Sequence, residues 1–236
     1  MRRYAQALAV LLLVVAPAVA NAQVIDFEGV NATYPSGFAF INGYYDGGTS
    51  SDGTTGTDYN VTFSSNAQAI CLNSTTVYCS NTSRGGLGSP TSQQGGLFFL
   101  SGPATYLNLL TGFTTGFSLF YSAPYFPGSL SVYDGLNGTG NVLGTLALPT
   151  TTLSGCAPAY SAGFCPFSPV GVAFLGTGYS IGFAGVADQI VIDDVTFGNV
   201  IPGGVGTGVV PEPASMALLA TGLAGLAAAR RKRSRS

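Results

Sequence analysis

The chain has 236 residues, 34 of them Gly, with 8 Lys+Arg against 10 Asp+Glu and no His, for a net charge of −2. The basic residues sit at the two ends and only Arg84 lies between Arg3 and Arg230, so the long middle of the chain is acidic. That distribution excludes a nucleic-acid-binding surface, which needs many Lys and Arg to neutralise phosphates, and the lack of His excludes Ser-His-Asp triads, Cys-His pairs and His-ligated zinc.

Residues 1–22 carry the three parts of a secretory signal peptide in order. Arg2 and Arg3 form the basic start, and Ala7 to Ala16 form an apolar run too short to span a bilayer. Ala20-Asn21-Ala22 supplies the small-x-small cleavage site, which leaves Gln23 as the new N-terminus. Export through the Sec translocon and removal by signal peptidase are therefore expected.

Residues 23–198 read as one all-β domain. Short runs rich in Val, Ile, Phe, Tyr and Thr alternate with Gly, Pro, Asn, Asp and Ser, and no long 3.6-residue stripe appears. Strands are predicted near Val24–Phe27, Phe38–Ile41, Asn60–Ser64, Ala69–Leu72, Leu97–Leu100, Tyr106–Leu110, Phe117–Tyr121, Ser129–Tyr133, Val142–Leu148, Val170–Leu175, Tyr179–Ala184 and Gln189–Phe197. Many short strands with turn signals between them point to a sandwich or barrel. In the last run Ile190 and Ile192 share one parity and Val195 and Phe197 the other. Either both faces are covered, or a bulge at Asp193-Asp194 resets the alternation. The opening Asp26-Phe27-Glu28 and the closing Ile192-Asp193-Asp194-Val195-Thr196-Phe197 resemble the terminal strands of jelly-roll domains of the carbohydrate-binding and lectin type. That resemblance implies a jelly-roll-like β-sandwich whose first and last strands are neighbours.

Candidate sites in the body follow from residue type. Cys71, Cys79, Cys156 and Cys165 are an even set in an exported chain, so two disulfides are expected. Of three possible connectivities we favour the local one, 71–79 and 156–165, in which each bridge closes a short loop for about 2.5 kcal/mol in the chain-entropy model. Glu28 and Asp194, with Asp26 or Asp193, would repel one another without a nearby base unless a hard cation such as Ca²⁺ bound them; the alternative is solvated strand-edge acids. Acids at 46, 52 and 58 lie in a Gly-rich polar loop that does not match an EF-hand, and the loop is expected to be mobile. Tyr44, Tyr45, Tyr121 and Tyr125, with Phe126, lie beside Gly and Pro and could present flat faces to sugar rings; core packing competes for them. Ser and Thr have no evident activating base, and Glu28 is the one Glu before the tail, so no catalytic residue is assigned.

A Gly-rich linker is expected over 199–209, with the folded unit ending near Phe197. Then Val210-Pro211-Glu212-Pro213-Ala214 leads into an uncharged apolar run, 214–229, and Arg230-Arg231-Lys232-Arg233 follows within the basic tail 230–236. The two prolines hold the motif extended, since each fixes φ and lacks an N–H donor. Sixteen helical residues span about 24 Å, short of the roughly 30 Å hydrocarbon core, so the single hydrophobic helix is a marginal transmembrane segment. Its basic end stays cytoplasmic by the positive-inside rule. Tripeptide, helix and Arg-rich end, taken together over 210–236, resemble the PEP-CTERM sorting signal of Gram-negative bacteria. The resemblance implies that exosortase, a membrane-embedded transpeptidase-like enzyme, processes the chain at Pro211-Glu212-Pro213. It also implies transient anchoring in the inner membrane facing the periplasm, then the cell surface or extracellular matrix, in cells that make exopolysaccharide. The expected product is a non-catalytic surface protein; the alternatives are a carbohydrate-binding module and a secreted glycan hydrolase.

Overall fold

A computed structural model describes residues 23–31, 38–72, 95–151, 164 and 166–203. The signal peptide, the Pro-Glu-Pro motif, the 214–229 segment and the basic tail lie outside the described residues. No helix long and apolar enough to cross a membrane occurs among the described ones.

Among the described residues twelve strands form: β1 Gln23–Ile25, β2 Phe38–Phe40, β3 Val61–Phe63, β4 Ala67–Cys71, β5 Gly95–Phe99, β6 Ala104–Phe113, β7 Gly116–Ser122, β8 Gly128–Tyr133, β9 Val142–Leu148, β10 Ser168–Ala173, β11 Gly178–Ala184 and β12 Val191–Phe197. Each predicted run corresponds to one of them, with ends displaced by a few residues. The largest difference is β6, which runs past Leu110 to Phe113. An irregularity in its ladder with β11, between Gly178 and Ser180, absorbs the extra residues, and Gly112 there adopts a left-handed φ of 72°.

All ladders are antiparallel. One sheet has the order β10-β7-β12-β5-β4-β2, with β1 also on β12, and the other has the order β3-β6-β11-β8-β9. In both sheets most pairings join strands that are not consecutive in the chain, β4–β5 and β8–β9 being the consecutive pairs, as in a jelly-roll-like sandwich. The core between the sheets joins Leu97, Phe117, Leu119, Ile192 and Val195 of the first to Leu107, Leu130, Val132, Ile181 and Phe183 of the second. Phe117 links the layers: its ring lies 6.3 Å from Phe183 on the other sheet, and 6.2 Å from Phe113 and 6.1 Å from Phe197. Truncating such a ring costs about 3–5 kcal/mol.

Both resolutions offered for the last strand hold. The β12–β7 register shifts between Asp193 and Thr196, and Asp194 takes a left-handed φ of 49°. The bulge brings Ile190, Ile192, Val195 and Phe197 into the same core despite their opposite parity. The outer face of this sheet is covered as well. Ile70, Leu72, Phe98 and Val191 form a second apolar cluster with Phe164, and Phe98 meets the Phe164 ring edge-on at 6.0 Å. Buried residues therefore run without a break through β4, β5 and β12.

The segment after β12 also lies on the outer face. Thr115 Oγ1 donates to the Gly198 carbonyl at 3.0 Å and Ser118 Oγ to the Asn199 carbonyl at 2.8 Å, while Gly203 N donates to Thr196 Oγ1 at 3.0 Å. A Cβ at Gly171 would stand 2.1 Å from the Val200 carbonyl oxygen, and one at Gly116 would stand 2.7 Å from a Val200 methyl. Glycine at both positions lets the chain pass directly over β7 and β10. The residues expected to open a free linker at 199 are thus strapped to the domain through Gly203.

Candidate functional site

The first and last strands pair, Gln23 with Phe197 and Ile25 with Val195. Chain direction then brings the acids that follow β1 toward the bulge of β12. Leaving β1, Phe27 adopts φ 58° and Gly29 φ 76°, which turns the chain across the start of β5. The Phe27 carbonyl passes so close that a Cβ at Gly95 would meet it at 2.1 Å. Glu28 fastens the crossing: Gly95 N donates to its Oε1 at 3.0 Å, and Glu28 N donates to Asp26 Oδ1 at 3.2 Å.

On the other side, Asp194 N donates to Asp193 Oδ1 at 2.8 Å and Thr196 Oγ1 to the Asp194 carbonyl at 2.9 Å. Both aspartates are buried. The described residues include no Lys, Arg or His. Two buried carboxylates carry a desolvation cost that hydrogen bonds, Arg84 or a bound cation must offset.

Tyr45 forms the wall of this junction. Its ring packs 5.9 Å from Phe27, 5.0 Å from Tyr44 and 5.8 Å from Phe63. Its hydroxyl is buried with the Phe27 backbone as a polar neighbour, too poorly aligned for a full hydrogen bond. Burial above all, then the charge of Asp26 and the neighbouring Tyr44 and Asp193, push its pKa well above the usual phenol range, with the Phe27 backbone partly opposing. Tyr45 is therefore a neutral phenol with acids on both sides. Tyr44 is pushed up too, by burial first and then by Asp26 and Tyr59; its hydroxyl donates to the Glu28 carbonyl at 3.4 Å. Among the described residues no group of three or more Asp, Glu, Cys or His side chains converges to hold a metal ion.

The four tyrosines considered for sugar contact have separate fates. Tyr45 and Tyr121 are core residues. Tyr121 donates its hydroxyl to the Pro149 carbonyl at 3.0 Å, so neither ring offers a face to a ligand and both are withdrawn from a sugar platform. Tyr44 is half-buried against Tyr45. Tyr125, 58% exposed, stands with the exposed Phe126 on the β7–β8 turn. The polar loop with acids at 46, 52 and 58 is not loose among the described residues. Backbone bridges join Asp46 to Asp58 and Thr49 to Thr55, and Tyr59 N donates to the Tyr45 carbonyl at 2.9 Å.

Of the remaining sequence candidates, Gln23 is the first residue of β1 and donates its side-chain amide to the Tyr59 carbonyl at 3.2 Å; Ala20 and Ala22 lie outside the described residues. Cys71 is buried at the end of β4, and no described cysteine is a free thiol; Cys79, Cys156 and Cys165 lie outside. So do Val210 to Ala214 and Arg230 to Arg233. The residues that sequence reasoning missed are Thr115, Gly116, Ser118 and Gly171, which hold the exit strap. Gly171 inside a Val-rich strand was the available signal, because a strand glycine often marks close approach of another backbone.

Comparison with known proteins decides one part of the chain. Residues 209–233 match the family model of the PEP-CTERM protein-sorting motif. No curated protein matches the chain. Among solved structures the chain is similar to a family 6 carbohydrate-binding module studied for its binding sub-sites, with 17% identity over 60% of this chain and 88% of that one and a TM-score of 0.34. It is similar to the carbohydrate-binding module CBM6cm-2 from Cellvibrio mixtus lichenase 5A, with 12% identity over 47% and 82% and a TM-score of 0.31. It is also similar to the K3 adhesin domain of Lys-gingipain from Porphyromonas gingivalis, with 18% identity over 76% and 100% and a TM-score of 0.35. At these TM-scores the fold is read from this chain's own two sheets.

Proposed function

We propose that the chain is an exported protein sorted to the cell surface or extracellular matrix through its PEP-CTERM tail, with exosortase as the processing enzyme and a non-catalytic β-sandwich as the cargo. The observation that carries this is the match over 209–233, which opens on Pro211-Glu212-Pro213. The order of parts supports the route: a basic-apolar-small leader first, then the body, then an extended motif, an apolar run and a basic end. The inner membrane holds the chain by residues 214–229 until processing. Replacing Pro211, Glu212 and Pro213 by Ala is expected to leave an unprocessed, membrane-associated product; normal product size and location in that variant would remove exosortase from the account.

The carboxylates of the β1–β12 junction support the non-catalytic reading of the body. Glu28 holds the Gly95 amide and Asp193 holds the Asp194 amide, so both carboxylates organise backbone. A structural Ca²⁺ held by Glu28 and Asp194 belongs to the same proposal, supported by the β1–β12 pairing, which directs the acids after β1 toward the β12 bulge. Thermal melting with and without millimolar Ca²⁺ tests it: a raised midpoint is expected, and an unchanged one removes the ion. Local disulfides 71–79 and 156–165 complete the cargo.

Exposed Tyr125 and Phe126 favour the second reading, a carbohydrate-binding module that contacts exopolysaccharide. Pull-down of the chain by the cell's own polysaccharide, lost in Tyr125→Ala, would favour it over a purely structural cargo.

A further inference from the structure

The aromatic cluster around Tyr45 reaches the surface at two rings. Tyr45 itself is buried, with the Tyr44 ring 5.0 Å away and the Tyr59 ring 6.2 Å away. Phe27 and Phe63 support it from behind, at 5.9 and 5.8 Å. Tyr59 is 40% exposed and Tyr44 is half-buried, so the two form one patch joined through Tyr45. Asp26, which is exposed, belongs to the same patch through Glu28. The Tyr44 hydroxyl donates to the Glu28 carbonyl at 3.4 Å, and Glu28 N donates to Asp26 Oδ1 at 3.2 Å. The rise in the Tyr44 pKa agrees with that placement: burial is its first cause, and the charges of Asp26 and Tyr59 follow.

The backbone holds both rings in place. Tyr59 N donates to the Tyr45 carbonyl at 2.9 Å, and the Tyr59 carbonyl accepts from Gln23 Nε2 at 3.2 Å. Asn60 then takes a left-handed φ of 56° and donates its amide to Asp58 Oδ1 at 2.8 Å, which fixes the passage from Tyr59 into β3. A Cβ at Gly56 would stand 2.7 Å from Tyr44 Cδ1, so the Gly56 backbone lies directly against that ring. Groups fixed in advance lose little conformational freedom when a ligand arrives. A phenol ring offers an apolar face with a hydroxyl at its rim, and an ionised carboxylate accepts up to about four hydrogen bonds. A pyranose is complementary to both, with C–H groups on its faces and hydroxyl donors around its edge.

We infer that Tyr59 and Tyr44, with Asp26 beside them, form a sugar-contact site other than the β7–β8 turn, taking a pyranose unit of a hydroxyl-rich polysaccharide. This rests on the carbohydrate-binding reading above and gives it a second set of contact residues. The probe is exopolysaccharide purified from the cells that make the protein. The chain contains no Trp, so Tyr59→Trp keeps a flat ring at the site and supplies a single emission that reports on it. A blue shift of that emission on adding the polysaccharide is expected. Tyr59→Ala is expected to weaken pull-down by about tenfold. Asp26→Asn, which keeps a side-chain oxygen for the Glu28 amide, is expected to weaken it less. Unshifted emission from a Tyr59→Trp chain that the polysaccharide still pulls down would overturn the inference and leave carbohydrate binding to Tyr125 and Phe126. Full retention of Tyr59→Ala would overturn it likewise. If the unsubstituted chain is not pulled down at all, the carbohydrate-binding reading falls first and this inference with it.

Discussion

The two sheets are built alike on the inside and differently on the outside. In the five-stranded sheet, β8 puts Leu130 and Val132 into the core and leaves Ser129, Ser131 and Tyr133 outward. The outer cover of its middle is polar. The 134–141 turn folds back so that Asn137 N donates to Asn108 Oδ1 at 2.7 Å, Asn108 Nδ2 to Asn137 Oδ1 at 2.9 Å and Gly138 N to Ser180 Oγ at 3.0 Å. Asn108 and Ser180 are buried beneath it. In the seven-stranded sheet the cover is apolar at β4, β5 and β12 and a backbone strap at β7 and β10. An antiparallel sheet ordinarily alternates because one face meets water. Here a second cover turns that alternation into continuous burial, and the chemistry of the cover decides which side chains each outer face needs.

Substitutions on the two outer faces test that contrast, beginning with the largest effect. Phe98→Ala removes the centre of the apolar cover and is expected to cost about 3–5 kcal/mol in urea unfolding; a loss no greater than that of an exposed side chain would break the comparison. Gly171→Val drives a side chain into the Val200 backbone and is expected to cost about 1–3 kcal/mol. Hydrogen exchange sharpens that test, since the Gly203 amide should lose protection while amides within β11 keep theirs. Ser180→Ala leaves Gly138 N without its acceptor under the polar cover, for a loss of about 1–3 kcal/mol; retention of full stability would show that the turn does not depend on it.

The smallest effect is electrostatic. Hydrogen bonds from the side chain and backbone of Asn141 hold Asp134 below the usual carboxylate pKa. A depressed folded-state pKa contributes stability that is present above the unfolded value and is lost as pH falls through the folded one. Asp134→Asn should therefore narrow the stability difference between neutral and strongly acidic solution, slightly, because the group is exposed. Any increase in acid sensitivity would contradict that sign.

Strand positions were legible because they rest on local chemistry. Alternation in Ser129–Tyr133 and the turn formers Asp134-Gly135 and Asn137-Gly138 act over a few residues. The β12 bulge was legible for the same reason, as a change of parity within one run. Sheet order was not, because pairings such as β12 with β5 and β7 join segments far apart in the chain. Tyr44, Tyr45, Tyr121 and Tyr125 look alike in sequence; what separates them is which sheet face, turn or core lies beside each ring. The strap was misread because Gly and Asn suit a free linker and a close backbone crossing equally well. The sorting motif was legible without a fold, since a Pro-Glu-Pro tripeptide before an apolar run and a basic end is recognised as sequence.

Processing at that segment is the central claim, and mass spectrometry of the protein recovered from its native cells tests it most directly. The account predicts a mature chain that begins at Gln23, lacks Arg230-Arg231-Lys232-Arg233 and is found outside the cytoplasm. An intact chain still bearing Arg2, Arg3 and the Arg-rich end, recovered from the cytosolic fraction, would contradict it.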